Sequence, residues 1–228
     1  MSEIFQTFAD GKFHFGACSV RVYDRRDVTT YGTDFLHKLY DASLASAPSR
    51  PYGILEEALC GFTDLTADAV CAYLHTRSPL LLMCVDKSDA QGGFEVIGFS
   101  FPTIWAGPAQ GKIDPDPGRS MLMGYVIFRS AWRSPEAVVC MMLTGIYYFH
   151  QFNLLNIQGQ RLPWNHLTAK FLAQFGTRDV GVLPKFLFDG KKMVDSIQSC
   201  LDRTLFEDYV RKVLAECSKP QPSVVLPS

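Results

Sequence analysis

The sequence predicts an α/β (α+β) protein in which helices flank a mixed central β-sheet. Three observations predict this class. Apolar runs at 80–85, 94–105, 121–128 and 153–160 are bounded by turn residues and read as strands. Two of the turns, SDAQGG at 88–93 and Asp189-Gly190, join apolar segments in the manner of hairpins. Between and after these runs, 33–47, 135–150 and 203–217 repeat their apolar residues at helical spacing.

Taken in order, 14–23 alternates Cys18, Val20 and Val22 on one face and reads as a single strand. In 33–47, Phe35, Leu36, Leu39, Tyr40 and Leu44 share a helix face, and Thr33 or Asp34 can cap it. Pro48 and Pro51 break the chain. A second helical region spans 52–77, interrupted near Gly61 and restarted by a cap at Thr63 or Asp64. The 80–85 and 94–105 runs form a hairpin, and Pro102 marks an edge or a bend in its second strand. Residues 106–119 carry repeated Gly and Pro without periodicity and form a long loop. After the 121–128 strand, Pro135 suits the first turn of a helix and Glu136 its positive end. Val138, Val139, Met142, Ile146 and Phe149 form the apolar side of that helix. The 153–160 strand, a 164–176 helix ended by Gly176, the Asp189-Gly190 hairpin and the 203–217 helix complete the order. The expected organisation is one domain over 1–217 and a loose tail over 218–228.

The 228 residues are 47% hydrophobic, enough for one sizeable core. The net charge of −1 and the lack of a basic run longer than Lys191 and Lys192 argue against nucleic-acid binding. The seven cysteines are odd in number and several lie in apolar runs, which predicts free thiols in a reducing compartment. No Cys/His spacing fits zinc, so no metal site is expected. The N-terminus lacks a secretion signal, and no apolar run reaches the ~20 residues of a membrane span. A cytoplasmic protein that binds no membrane is the expectation.

Two places carry candidate chemistry. A strand, a turn and a helix N-terminus follow one another at 121–136. Free N–H groups and the helix dipole make such a turn an anion site, and Arg129, Arg133 and Ser134 surround it. The second is Asn165 at the mouth of the 164–176 helix, which either caps the helix or also holds a ligand.

The stretch from about 120 to 203 resembles the GNAT acyltransferase superfamily, most closely its ribosomal-protein N-acetyltransferase branch. The resemblance rests on Trp132-Arg133-Ser134-Pro135-Glu136-Ala137 at the pyrophosphate turn. It rests also on Asn165, Thr168 and Gly176 at their family spacing, and on Asp189-Gly190 and Asp195 in the closing hairpin. It covers about a third of the chain and implies a GNAT-like, mostly antiparallel sheet. The departures are specific. The turn has no Gly, Leu172 stands where many members have a Tyr general acid, and Thr177 replaces a Phe. The 121–128 strand carries no carboxylate.

What the resemblance implies is acetyl transfer from acetyl-CoA to the amine of a small molecule or peptide. The backbone N–H groups of Ser130, Ala131, Trp132, Arg133 and Ser134 would hold the pyrophosphate, helped by the Arg129 and Arg133 side chains. Asn165 and Thr168 would meet the pantetheine arm or the acceptor. Tyr125, Asn165 and His166 are the catalytic candidates. Ser100, Glu95 and His150 qualify as bases by type only. The alternative is a GNAT-fold binding or structural protein without catalysis. A third reading admits a longer acyl or aminoacyl donor, which an apolar tunnel beside Met121 and Met123 would indicate. The hairpin and last helix could pack on a second copy of the chain, leaving monomer and homodimer both open.

Overall fold

The computed structural model describes residues 12–24, 26, 31–45, 66–76, 79–87, 93–102, 120–188 and 192–217. Eight strands form one sheet, β1 (Lys12–Phe15), β2 (Cys18–Val22), β3 (Leu81–Asp86), β4 (Phe94–Pro102), β5 (Ser120–Ile127), β6 (Asn156–Arg161), β7 (Arg178–Phe188) and β8 (Met193–Asp202). Among the described residues five α-helices accompany them, α1 (Phe35–Ala45), α2 (Ala67–Thr76), α3 (Pro135–Gln151), α4 (His166–Ala173) and α5 (Arg203–Cys217). The strand order is β1-β2-β3-β4-β5-β6-β8-β7. All neighbours are antiparallel except β5 and β6, which run parallel. The α3 helix supplies the crossover that a parallel pair requires.

The single strand expected at 14–23 is in fact a hairpin. Gly16 sits at φ 60, and Phe15 pairs with Cys18 across a two-residue turn. Glycine reaches this left-handed backbone without steric cost, which period-2 alternation cannot reveal. The 80–102 hairpin forms as expected, with β3 and β4 antiparallel. Pro102 lies past the last β3 rung, Leu81↔Ser100, and pairs only with Met123 of β5. Its missing N–H therefore costs no bond to β3, although β4 is an interior strand. The first turn of α2 is capped by the Thr66 hydroxyl, which accepts from the Ala69 N–H at 3.3 Å. The cap expected at Thr63 or Asp64, the 106–119 loop, the Asp189-Gly190 turn and the 218–228 tail lie outside the described residues. The β7–β8 hairpin around that turn forms, with Phe188 opposite Met193. Asp195 accepts the Lys185 N–H at 2.9 Å and so holds a bulge where Lys185 takes φ 49.

Two apolar cores lie on opposite faces of the sheet. One packs α1 and α2 (Leu39, Val70, Leu74) against Leu82, Phe99 and Phe101. The other packs α3 and α5 against Val20, Met83, Met121 and Ile157. The α3 helix is buried almost all round rather than along one side, because sheet and α5 both cover it. Gly145 admits α5 there, since a Cβ would meet the Phe206 ring at 2.5 Å. Cys18, Cys71, Cys84 and Cys140 are buried free thiols. Burial pushes the Cys84 thiol up to about 12. Among the described residues no helix is long and apolar enough to cross a membrane.

Candidate active site

The parallel pair at the centre of the sheet is short. The β5 and β6 strands share three rungs, Ser120↔Asn156, Met121↔Ile157 and Leu122↔Gln158, and then part. Beyond this point β5 stays with β4 as far as Ile127, and β6 stays with β8 as far as Arg161. Each strand follows its antiparallel partner, so a wedge opens between them toward their C-terminal ends. In an α/β sheet, this is the end at which helix N-termini and ligands gather.

A cavity of about 40 Å³ lies in this wedge, room for a few water molecules. Met123 and Tyr125 of β5 form one wall, and Gly159 of β6 and Ser199 of β8 the other. Leu172, Phe175 and Thr177 close it from α4 and the residues that follow. Met141, Gly145 and Phe206 form part of its base. The lining is almost wholly apolar. Tyr125 is its single titratable side chain among the described residues.

The turn that follows β5 meets the wedge at its open end. Arg129, Ser130 and Ala131 form one 3₁₀ turn, and Ser134 caps α3 by accepting the Ala137 N–H at 3.1 Å. The turn uses up part of its own donors. The N–H groups of Ala131, Trp132 and Ser134 donate to the carbonyls of Phe128, Arg129 and Ala131 at 2.9, 3.2 and 3.1 Å. The five-donor cradle expected over 130–134 is therefore reduced, leaving Ser130 and Arg133 as the N–H groups of that run not spent in this way. Ala131 is buried and Trp132 exposed, its Nε1 donating to the Ile127 carbonyl at 2.8 Å.

Arg133 takes φ 65. A non-glycine residue fills this left-handed position at a cost of roughly 1–2 kcal/mol. Arg133→Gly should relieve that strain against a larger unfolded-state entropy, for a net gain of roughly 0.5–1 kcal/mol. A urea-denaturation midpoint that fails to rise would refute the strain.

Asn165 is a cap. Its Oδ1 accepts the Thr168 N–H at 3.2 Å. Gly176 closes α4 at φ 88, with Thr177 N–H donating to Leu172 O at 3.3 Å and Gly176 N–H to Ala173 O at 3.1 Å. This is a Schellman ending, and it delivers Thr177 to the cavity. Asn165, Thr168 and the exposed His166 stand at the start of α4, and none of them lines the cavity. Of the three catalytic candidates, only Tyr125 lines it.

The residues chosen by type fall elsewhere. Ser100 is buried and donates to the Tyr148 hydroxyl at 3.4 Å. Glu95 is exposed on β4 and lies 3.9 Å from Lys87. His150 sits near the C-terminal end of α3, 3.8 Å from Glu207, with its pKa lowered by burial and by Arg203. Leu172 and Thr177, noted in the sequence only as departures, do line the cavity. Gly159, Ser199 and the neighbouring Arg161 carry no signal in the sequence, because cross-strand register brings them there.

Among the described residues no group of three His, Cys, Asp or Glu side chains could hold a metal ion. The fold is similar to that of solved acetyltransferases, the GNAT fold. No family model matches the chain, and no curated protein matches it by sequence. Solved structures do. RimJ from Mycobacterium smegmatis, in complex with CoA-disulfide, is similar at a TM-score of 0.59 and 17% identity, over 87% of this chain and 89% of that one. The ribosomal-protein-S5-alanine acetyltransferase of Vibrio fischeri is similar at 0.54 and 17%, over 85% and 97%. Spermidine N-acetyltransferase from Vibrio cholerae, with CoA and spermine, is similar at 0.54 and 16%, over 84% and 98%.

Proposed function

We propose that the chain is an acyl-CoA-dependent N-acyltransferase that moves an acetyl group from acetyl-CoA to an amine. The observation that carries this reading is the parting of β5 and β6 after three rungs, beside the N-terminus of α3. A flexible thioester arm needs such a slot, and its phosphates need donors at the slot's mouth. Similar folds were solved with CoA-disulfide and with CoA and spermine, which supports the same donor here.

In this reading the Ser130 and Arg133 N–H groups and the Arg129 and Arg133 side chains bind the pyrophosphate. Asn165 and Thr168 border the path of the pantetheine arm. The amine nitrogen attacks the thioester carbon, the C–N bond forms as the C–S bond breaks, and the amine's proton passes to the departing thiolate. Tyr125 is the residue we assign to that proton, since it is the titratable side chain in the cavity lining. The acceptor is a small-molecule or peptide amine, the compartment the cytoplasm, and residues 1–217 one catalytic domain. A second reading, a GNAT-fold binding protein without turnover, draws support from Leu172, which cannot donate a proton, in the cavity wall.

A thermal-shift titration with CoA and acetyl-CoA tests the proposal. At 100 times its Kd the ligand should add about 2.7 kcal/mol to stability. Absence of a shift at millimolar ligand would overturn it. Binding without CoA release across a panel of polyamines and peptide N-termini would favour the second reading.

A further inference from the structure

The wedge ends beside a charge that the protein matches only in part. Arg161 closes β6 on the same face as Ile157 and Gly159, because side chains alternate along a strand. The residue is 5% exposed. Its Nη2 donates to Asp179 Oδ2 at 2.7 Å, and the Asp179 side chain is 52% exposed, its charge largely screened by water. Nε and Nη1 are buried and meet no acceptor among the described residues. Leaving such donors idle is costly, and a group of this kind in a folded protein calls for an explanation.

Cross-strand register sets the Asp179 partner of this guanidinium level with two residues of the cavity lining. Gly159 pairs with Ser199, and Ser199 pairs with Asp179, so these three form one rung. Arg161, two residues further along β6 and opposite Ile197, reaches diagonally to Asp179 on that rung, while Gly159 and Ser199 line the cavity. Thr177 lines the cavity too, and its hydroxyl is buried and without a partner among the described residues. The cavity therefore has apolar walls from Met123, Leu172 and Phe175 and polar residues at Thr177 and Ser199, and Arg161 is tied to Asp179 on the Ser199 rung just outside the lining.

Resting on the acyl-CoA reading above, we propose that this polar side binds a carboxylate at the far end of the acyl chain. The preferred donor is then the CoA thioester of a short dicarboxylic acid rather than acetyl-CoA. A carboxylate offers acceptors for the idle guanidinium N–H groups and for the Thr177 hydroxyl, and charge-assisted bonds of this kind are the strong ones. Methylenes of the chain meet the apolar walls. The transfer keeps its balance. The C–N bond forms, the C–S bond breaks, CoA leaves as the thiol with the amine's proton, and the distal carboxylate is a spectator.

Calorimetry on the full chain with CoA, butyryl-CoA and succinyl-CoA tests the proposal, the two acyl chains having equal carbon number. Succinyl-CoA should bind at least tenfold tighter than butyryl-CoA. The double variant Arg161→Met/Asp179→Leu removes both charges together and should bind the two alike, with CoA affinity unchanged. Equal affinities in the wild type would overturn the inference, and this comparison needs no variant to fold. A preference that survives in the double variant would also overturn it. Failure of CoA itself to bind would remove the acyl-CoA reading and this inference with it.

Discussion

Leu172→Trp is expected to weaken CoA binding at least 100-fold, about 2.7 kcal/mol, while the protein stays folded. Leu172 is half-buried on α4 and lines a cavity of only about 40 Å³. An indole there fills the space between β5 and β6 that a thioester arm would need. The fold should tolerate it, because α4 has no fully buried residue and presents its outer face to solvent. Calorimetry and a melting curve on the same sample check both halves of the expectation. Undiminished CoA affinity would place the ligand outside the wedge.

Asp179→Ala is expected to cost about 2–3 kcal/mol of stability. Removing one member of a buried ion pair typically costs about 3–5 kcal/mol, and the half-exposure of Asp179 reduces this. What is lost is the one side-chain acceptor that Arg161 has among the described residues, leaving a buried guanidinium without a charge partner. The double variant Arg161→Met/Asp179→Leu should recover most of the loss, since an apolar pair needs no partner. Chemical denaturation of the single and double variants gives the comparison. A single variant as stable as wild type would show that water reaches Arg161 freely.

Much of the element order was legible in the sequence. The 80–85 and 121–128 runs are β3 and β5 within one residue, and Ser134-Pro135-Glu136 opens α3. Asn165 and Gly176 bound α4 as their spacing indicated. Each of these signals is local: a short apolar run, a cap, a glycine at positive φ. The split of 14–23 into two strands was missed because Gly16-Ala17 interrupts an alternation that otherwise continues. The turn after β5 was recognised, but its donors were overcounted. Three of the five N–H groups close the turn on itself, which residue types alone do not reveal.

By itself, then, the sequence determined the kinds of element, their order and the two helix mouths at which polar groups gather. These follow from interactions within a few residues. Only the tertiary structure decided that β5 and β6 part after three rungs, that Leu172 closes the wedge near Tyr125, and that Arg161 reaches Asp179 beneath the surface. Each of these depends on which strand lies beside which and for how long they stay paired. Pairing is settled by packing α3 and α5 on one face and α1 and α2 on the other, over separations no local pattern encodes.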